Sequence, residues 1–66
     1  MQDYAKAIKE LREKMMMSQM EFAKIIDVAY ESINRWENGK FIPTFRYRRK
    51  FVELFKEYDI KLEEKE

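Results

Sequence analysis

Tyr30, Glu31, Asn34, Arg35 and Asn38 are the residues best equipped for chemistry. Placed at helical spacing, about 3.6 residues per turn, they cluster on the side opposite Ile33. A guanidinium fork, two carboxamides, a phenol and a carboxylate can donate to or accept from base edges and phosphate oxygens. No comparable grouping suits catalysis. The chain has no His and no Cys, which removes the usual zinc ligands and imidazole or thiol chemistry. The expectation is therefore a non-enzyme with no metal and no cofactor.

The stretch Ser18 to Gly39, SQMEFAKIIDVAYESINRWENG, must position those side chains. It reads as two short helices joined by a tight turn. Ser18-Gln19-Met20-Glu21 is a capping box, in which Ser18 and Glu21 each accept from the other's backbone N–H. Phe22, Ala23, Ile25 and Ile26 are expected to give the first helix a buried face. Asp27 stands at the turn, where a short polar side chain tolerates the left-handed conformation. Val28 is expected to re-enter the core. Ala29, Ile33 and Trp36, at i, i+4 and i+7, form one buried stripe in the second helix, predicted over 29–38. Gly39 suits the left-handed stop. Trp36 also has a base-stacking reading, but its place on the stripe favours packing.

These residues carry a resemblance. Ser18-Gln19, Phe22-Ala23, Ile26-Asp27-Val28 and above all Ile33-Asn34-Arg35-Trp36-Glu37-Asn38-Gly39 resemble the lambda-repressor/Cro-like, or XRE-family, helix-turn-helix DNA-binding domains. The last run is close to the family's usual ISRWENG. The resemblance covers about residues 4 to 60. It implies an all-α, four-helix lambda-repressor-like fold, with the helix-turn-helix at 18–39 and any fifth turn frayed.

Length and charge fit one small domain at 1–60 with a charged tail at 61–66. Sixty-six residues bury only about 60% of their unfolded surface, so each large apolar side chain matters. No apolar run approaches the ~20 residues of a membrane span, and no signal peptide is visible. A cytoplasmic, nucleoid-associated protein without membrane contact is expected. Net charge is only +1, but it is unevenly spread: residues 40–52 hold Lys40, Arg46, Arg48, Arg49 and Lys50 and no acid. Such a block attracts phosphate within about a Debye length, ~8–10 Å.

In the first helix Asp3 is the expected cap. Tyr4, Ile8, Leu11 and Met15 form its stripe, while Lys6, Lys9, Glu10, Glu13 and Lys14 are expected in solvent. Met15-Met16-Met17 reads as a gap-filling connection rather than a ligand set. After Gly39, Pro43 fits a loop and Thr44 a cap. Tyr47, Phe51, Leu54, Phe55 and Tyr58 form the stripe of a helix over about 45–58. Phe45 and Val52 fall off that stripe. With Phe41 and Ile42 they make an apolar surface for a subunit contact, extended by Ile60 and Leu62.

The resemblance supplies roles. It implies sequence-specific binding of double-stranded DNA by a transcriptional regulator, expected to act as a repressor and as a homodimer on DNA. Tyr30, Glu31, Asn34 and Arg35 would face base edges in the major groove. Gln19, Asn38, Lys40 and Arg46 would hold phosphates. Arg12 and Glu37 would form a partly buried brace. The alternative is an antitoxin or other protein-interaction module with secondary DNA binding, its toxin partner held by Phe41, Ile42, Phe45 and the tail. Departures from the family pattern are Ala29 for the Ser or Thr cap, Asp27 for the turn Gly, Asp59 at the final Gly stop, and a longer stretch from Pro43 to Ile60.

Overall fold

In a computed structural model that describes residues 3–62, four helices follow one another: α1 (Tyr4–Lys14), α2 (Gln19–Ile26), α3 (Tyr30–Glu37) and α4 (Phe45–Glu57). No strand occurs among the described residues. The start of α2 is the most fully specified. Ser18 Oγ accepts from the Glu21 N–H at 3.1 Å, and Glu21 Oε1 accepts from the Ser18 N–H at 2.9 Å. That second bond holds the Glu21 carboxyl below its ordinary range. Two of the four N–H groups that need an outside partner, those of Ser18 and Glu21, thus find one locally. Asp3 caps α1 by accepting from the Lys6 N–H at 3.1 Å.

The other two starts lack a side-chain cap. Ala29 precedes α3 with no side-chain bond. Thr44 has the extended backbone of an N-cap, but its hydroxyl accepts no cap bond. The buried ring of Pro43 anchors the entry to α4 instead. Ala29 is also exposed, because it lies outside the helix, where the expected stripe spacing has no meaning. Each predicted bound of α3 moves in by one residue, to 30–37.

All four helices end on a left-handed residue: Met16 (φ 57°), Asp27 (φ 68°), Gly39 (φ 76°) and Asp59 (φ 55°). The next N–H then folds back onto the last turn. Met17 donates to Arg12 O at 3.2 Å, Val28 to Ala23 O at 3.0 Å, Lys40 to Arg35 O at 3.2 Å and Ile60 to Phe55 O at 2.8 Å. These closures satisfy carbonyls that the helix leaves open. Cations add to them. Lys14 Nζ donates to Tyr58 O at 3.0 Å and Lys50 Nζ to Ile26 O at 3.2 Å, each at the negative end of a helix dipole. Lys14 is therefore tied to the end of α4 rather than simply solvated.

Phe51 sits at the centre of the core. Its ring lies 6.2 Å from Phe22, 5.7 Å from Trp36 and 5.9 Å from Phe55. Ile8, Leu11, Ile26 and Ile33 are buried around it. Full burial of one such side chain contributes about 1.5–3 kcal/mol. Trp36 packs on Phe51 and Tyr47, so its ring belongs to the core and is not presented for stacking. Val28 is half-buried against the same cluster. Ile25 departs from expectation, being 56% exposed. One step of about 100° from Ile26 carries it off the face set by Phe22, Ala23 and Ile26. Ile60 is buried and Leu62 packs half-buried on the core, so neither extends a contact surface. Lys61 is exposed, and residues 63–66 of the expected tail lie outside the described residues.

One carboxylate joins three helices. Glu37 at the end of α3 accepts from Arg12 Nε at 2.8 Å, from Arg12 Nη2 at 3.1 Å and from Gln19 Nε2 at 3.1 Å. The Arg12 and Glu37 side chains are only 16% and 5% exposed. The hydrogen bond to Glu37 raises the Arg12 guanidinium above its already high ordinary value. Arg12 Nη1 also donates to Met17 O at 3.0 Å, fixing the connection between α1 and α2.

Two outcomes follow for stability. Arg12→Met leaves Glu37 buried without its cation, a loss of about 3–5 kcal/mol, whereas Arg12→Met with Glu37→Met restores most of it. Urea unfolding of both single variants and the double variant measures that coupling; independent, additive losses would refute the brace. Met16, 90% exposed and left-handed, carries a strain of about 1–2 kcal/mol that glycine would lack. Met16→Gly is expected to raise the melting temperature by several degrees, read by thermal unfolding.

Candidate nucleic-acid interface

The two sides of α3 are chemically opposite. Ile33 and Trp36 are buried and Glu37 is half-buried, its carboxylate turned into the brace. Tyr30, Glu31 and Arg35 are exposed, and Asn34 is half-buried beside them. Among the described residues, none of these four side chains makes a hydrogen bond or ion pair. Their polar groups are thus free for an outside partner. Helix α3 is eight residues, about 12 Å long at 1.5 Å per residue. A helix this short is not stable alone in water. Its orientation comes from Ile33 and Trp36 in the core and from Glu37 held by α1 and α2.

The residues expected at phosphates lie at three places around α3. Gln19 opens α2 and is half-buried, its amide already donating to Glu37. Asn38 and Lys40 are exposed where α3 closes. Arg46 is exposed in the first turn of α4, its guanidinium carbon 5.6 Å from the centre of the Tyr47 ring. Gln19 is therefore both a structural link and a surface group.

The basic block of residues 40–52 is only partly free, although Arg46, Arg49 and Lys50 line one hollow with Phe45 and Glu53. Lys50 is drawn to the Ile26 carbonyl. Arg48 lies with its guanidinium carbon 6.0 Å from the centre of the Phe45 ring, and its enclosed Nε has no hydrogen-bond partner. Leaving such a donor unsatisfied costs about 1–3 kcal/mol.

The expected apolar contact surface is likewise divided. Phe41 and Ile42 are 60% and 47% exposed and line a hollow with Arg35, Trp36 and Tyr47. Phe45 and Val52 line another with Tyr4, Arg48 and Arg49. Periodicity could not have placed Phe41 and Ile42 beside Arg35, because they lie in a loop. The tie of Lys50 to the end of α2 was equally hidden, since the two are 24 residues apart in sequence.

No helix among the described residues is long and apolar enough to cross a membrane. No curated protein and no solved structure matches the chain. The helix-turn-helix family model of the Cro/C1 type does match, over residues 8–64. That range holds the whole of α2, α3 and α4 and most of α1. The match spans nearly the full chain and includes the outward polar side of α3, so the chain belongs to the Cro/C1-type, XRE-like helix-turn-helix family, whose domains bind DNA in transcription regulation.

Proposed function

We propose that this protein recognises a specific double-stranded DNA sequence by laying α3 in the major groove, acting in the cytoplasm on the nucleoid. The observation that carries this reading is the unpaired, outward polar row Tyr30, Glu31, Asn34 and Arg35 on a helix whose opposite side is locked into the core. Arg35 suits bidentate recognition of guanine. Glu31 suits the cytosine amine, since phosphate would repel it. Gln19, Asn38, Lys40 and Arg46 surround that row and hold the backbone in register. Such a domain represses simply by occupying its site.

One helix reads few base pairs, too few to mark a site among ~10⁶ or more competitors. We therefore assign the working unit as a two-fold pair, with half-sites about 34 Å apart. Phe41 and Ile42 support pairing better than Phe45 and Val52. Their hollow holds one charged residue, Arg35, whereas Arg48, Arg49 and Lys56 line the other. A two-fold pair there would bring together three cations and only one carboxylate, Glu53, from each copy, an excess of like charge. An antitoxin's single partner patch, built from Phe41, Ile42 and Phe45, is less well supported because these residues line separate hollows.

Binding to selected and scrambled duplexes across a salt series tests the base and phosphate roles together. Arg35→Ala is expected to erase most discrimination, about 1–3 kcal/mol, and Lys40→Ala to weaken both duplexes alike and lower the salt slope by about one unit. An equal loss on both duplexes for Arg35→Ala would make it a phosphate contact and sink the assignment. For the pair, Phe41→Glu should abolish cooperative binding to a two-half-site duplex and spare a single half-site. Unchanged cooperativity would mean a monomer or another surface.

A further inference from the structure

Helix α4 has a second face that the core does not use. Phe45, Arg48, Arg49, Val52, Glu53 and Lys56 fall at i, i+3, i+4, i+7, i+8 and i+11, one continuous side of the helix. With Tyr4 from the start of α1 they line an open hollow of about 510 Å³. Phe45 is 64% and Val52 38% exposed. They stand two helical turns apart, about 10 Å, the spacing of anchors that an apolar helix face meets in a groove. No residue of α2 or α3 lines this hollow, so it is separate from the outward row of α3.

The charges around the two apolar side chains decide what fits. Arg48, Arg49 and Lys56 make no ion pair among the described residues, and Glu53 is the one acid in the lining. The enclosed Nε of Arg48 has no acceptor. A second copy of the chain would bring three more cations and only one more carboxylate, leaving an excess of positive charge in the contact. We infer that this face docks an acidic amphipathic segment of another protein, with large apolar side chains seated on Phe45 and Val52 and flanking carboxylates paired with Arg48, Arg49 and Lys56. Apolar anchors would give the affinity, and the surrounding charges the choice of partner.

The inference does not depend on which DNA sequence α3 reads, and its test is independent of it. The probes are two helical peptides with the same leucine face, one flanked by glutamates and its twin by lysines. Each is titrated into the full chain and followed by NMR shifts of Tyr4, Phe45 and Val52. The glutamate peptide should bind at least about tenfold more tightly than its twin, and Arg49→Glu should remove about tenfold of that affinity. Arg49 is exposed, so the fold should survive its substitution; Lys56→Glu, also exposed, serves as a second variant with the same expected loss. Equal affinity for the two peptides, or no shift at these residues, overturns the proposal. A salt slope of DNA binding lowered by Lys56→Glu, which lines this hollow and not the one beside Arg46, would assign the face to nucleic acid instead. Sedimentation showing a dimer that Phe45→Glu dissociates would assign it to a second copy. Either result also overturns the proposal.

Discussion

The carboxylate of Glu37 is the constraint on which the arrangement depends. A charge this well buried costs several kcal/mol in lost hydration, and only close, well-aligned donors offset it. Here three donors do so, two from Arg12 on α1 and one from Gln19 on α2. None of them belongs to α3, the helix that carries Glu37. The energetic need of one side chain therefore fixes α3 against both preceding helices. Buried pairs are weak sources of net stability, and an apolar trio of similar shape would hold the domain as firmly. The polar version adds direction: a bidentate guanidinium tolerates little rotation, so the outward row of α3 inherits a defined angle.

The helix ends show a related economy. Three of the four left-handed stops use a residue other than glycine, and one is the unbranched but bulky Met16. Each is compensated by a backbone closure and, at α2 and α4, by a lysine reaching from a distant part of the chain. These lysines do structural work at helix termini, where a cation contributes about 0.3–1 kcal/mol. Charge counted along the sequence thus overstates what is left for a nucleic acid. Lys14 and Lys50 are already committed, and Arg12 faces inward.

What was legible in the sequence was local or periodic. The Ser18–Glu21 box, the Asp3 cap, the Gly39 stop and the stripes of α1 and α4 depend on neighbours three to eight residues away. Spacing alone could read them. The outward row of α3 was legible for the same reason. The meeting of Arg12 with Glu37, 25 residues apart, came only from family resemblance, because no periodicity spans two turns and a helix. Ile25 and Ala29 misled for opposite reasons. Ile25 is apolar but sits at the margin of a face already filled by Phe22, Ala23 and Ile26. Ala29 is at the right spacing but lies before the helix begins. The three methionines read as a connection, but nothing in composition marked Met16 as its left-handed residue, since methionine has no preference for that conformation.

Helix α4 shows why the basic block needed a structure to interpret. On one side Phe51 and Phe55 close the core. The remaining circumference carries four cations between 46 and 50, and a helical step of about 100° sends consecutive residues in different directions. Arg46 and Lys50, four apart, share one side. Lys50 is held near the end of α2, which places that side next to the helix-turn-helix unit. Arg48 and Arg49 turn toward Tyr4 and the start of α1. A run that looks like one electrostatic patch in sequence is thereby spread around the helix, with Arg46, Arg49 and Lys50 lining one hollow and Arg48 and Arg49 lining another that no residue of α3 enters. The small net charge of the protein is then no obstacle to binding an anion, because screening makes each side answer to its nearest charges rather than to the total.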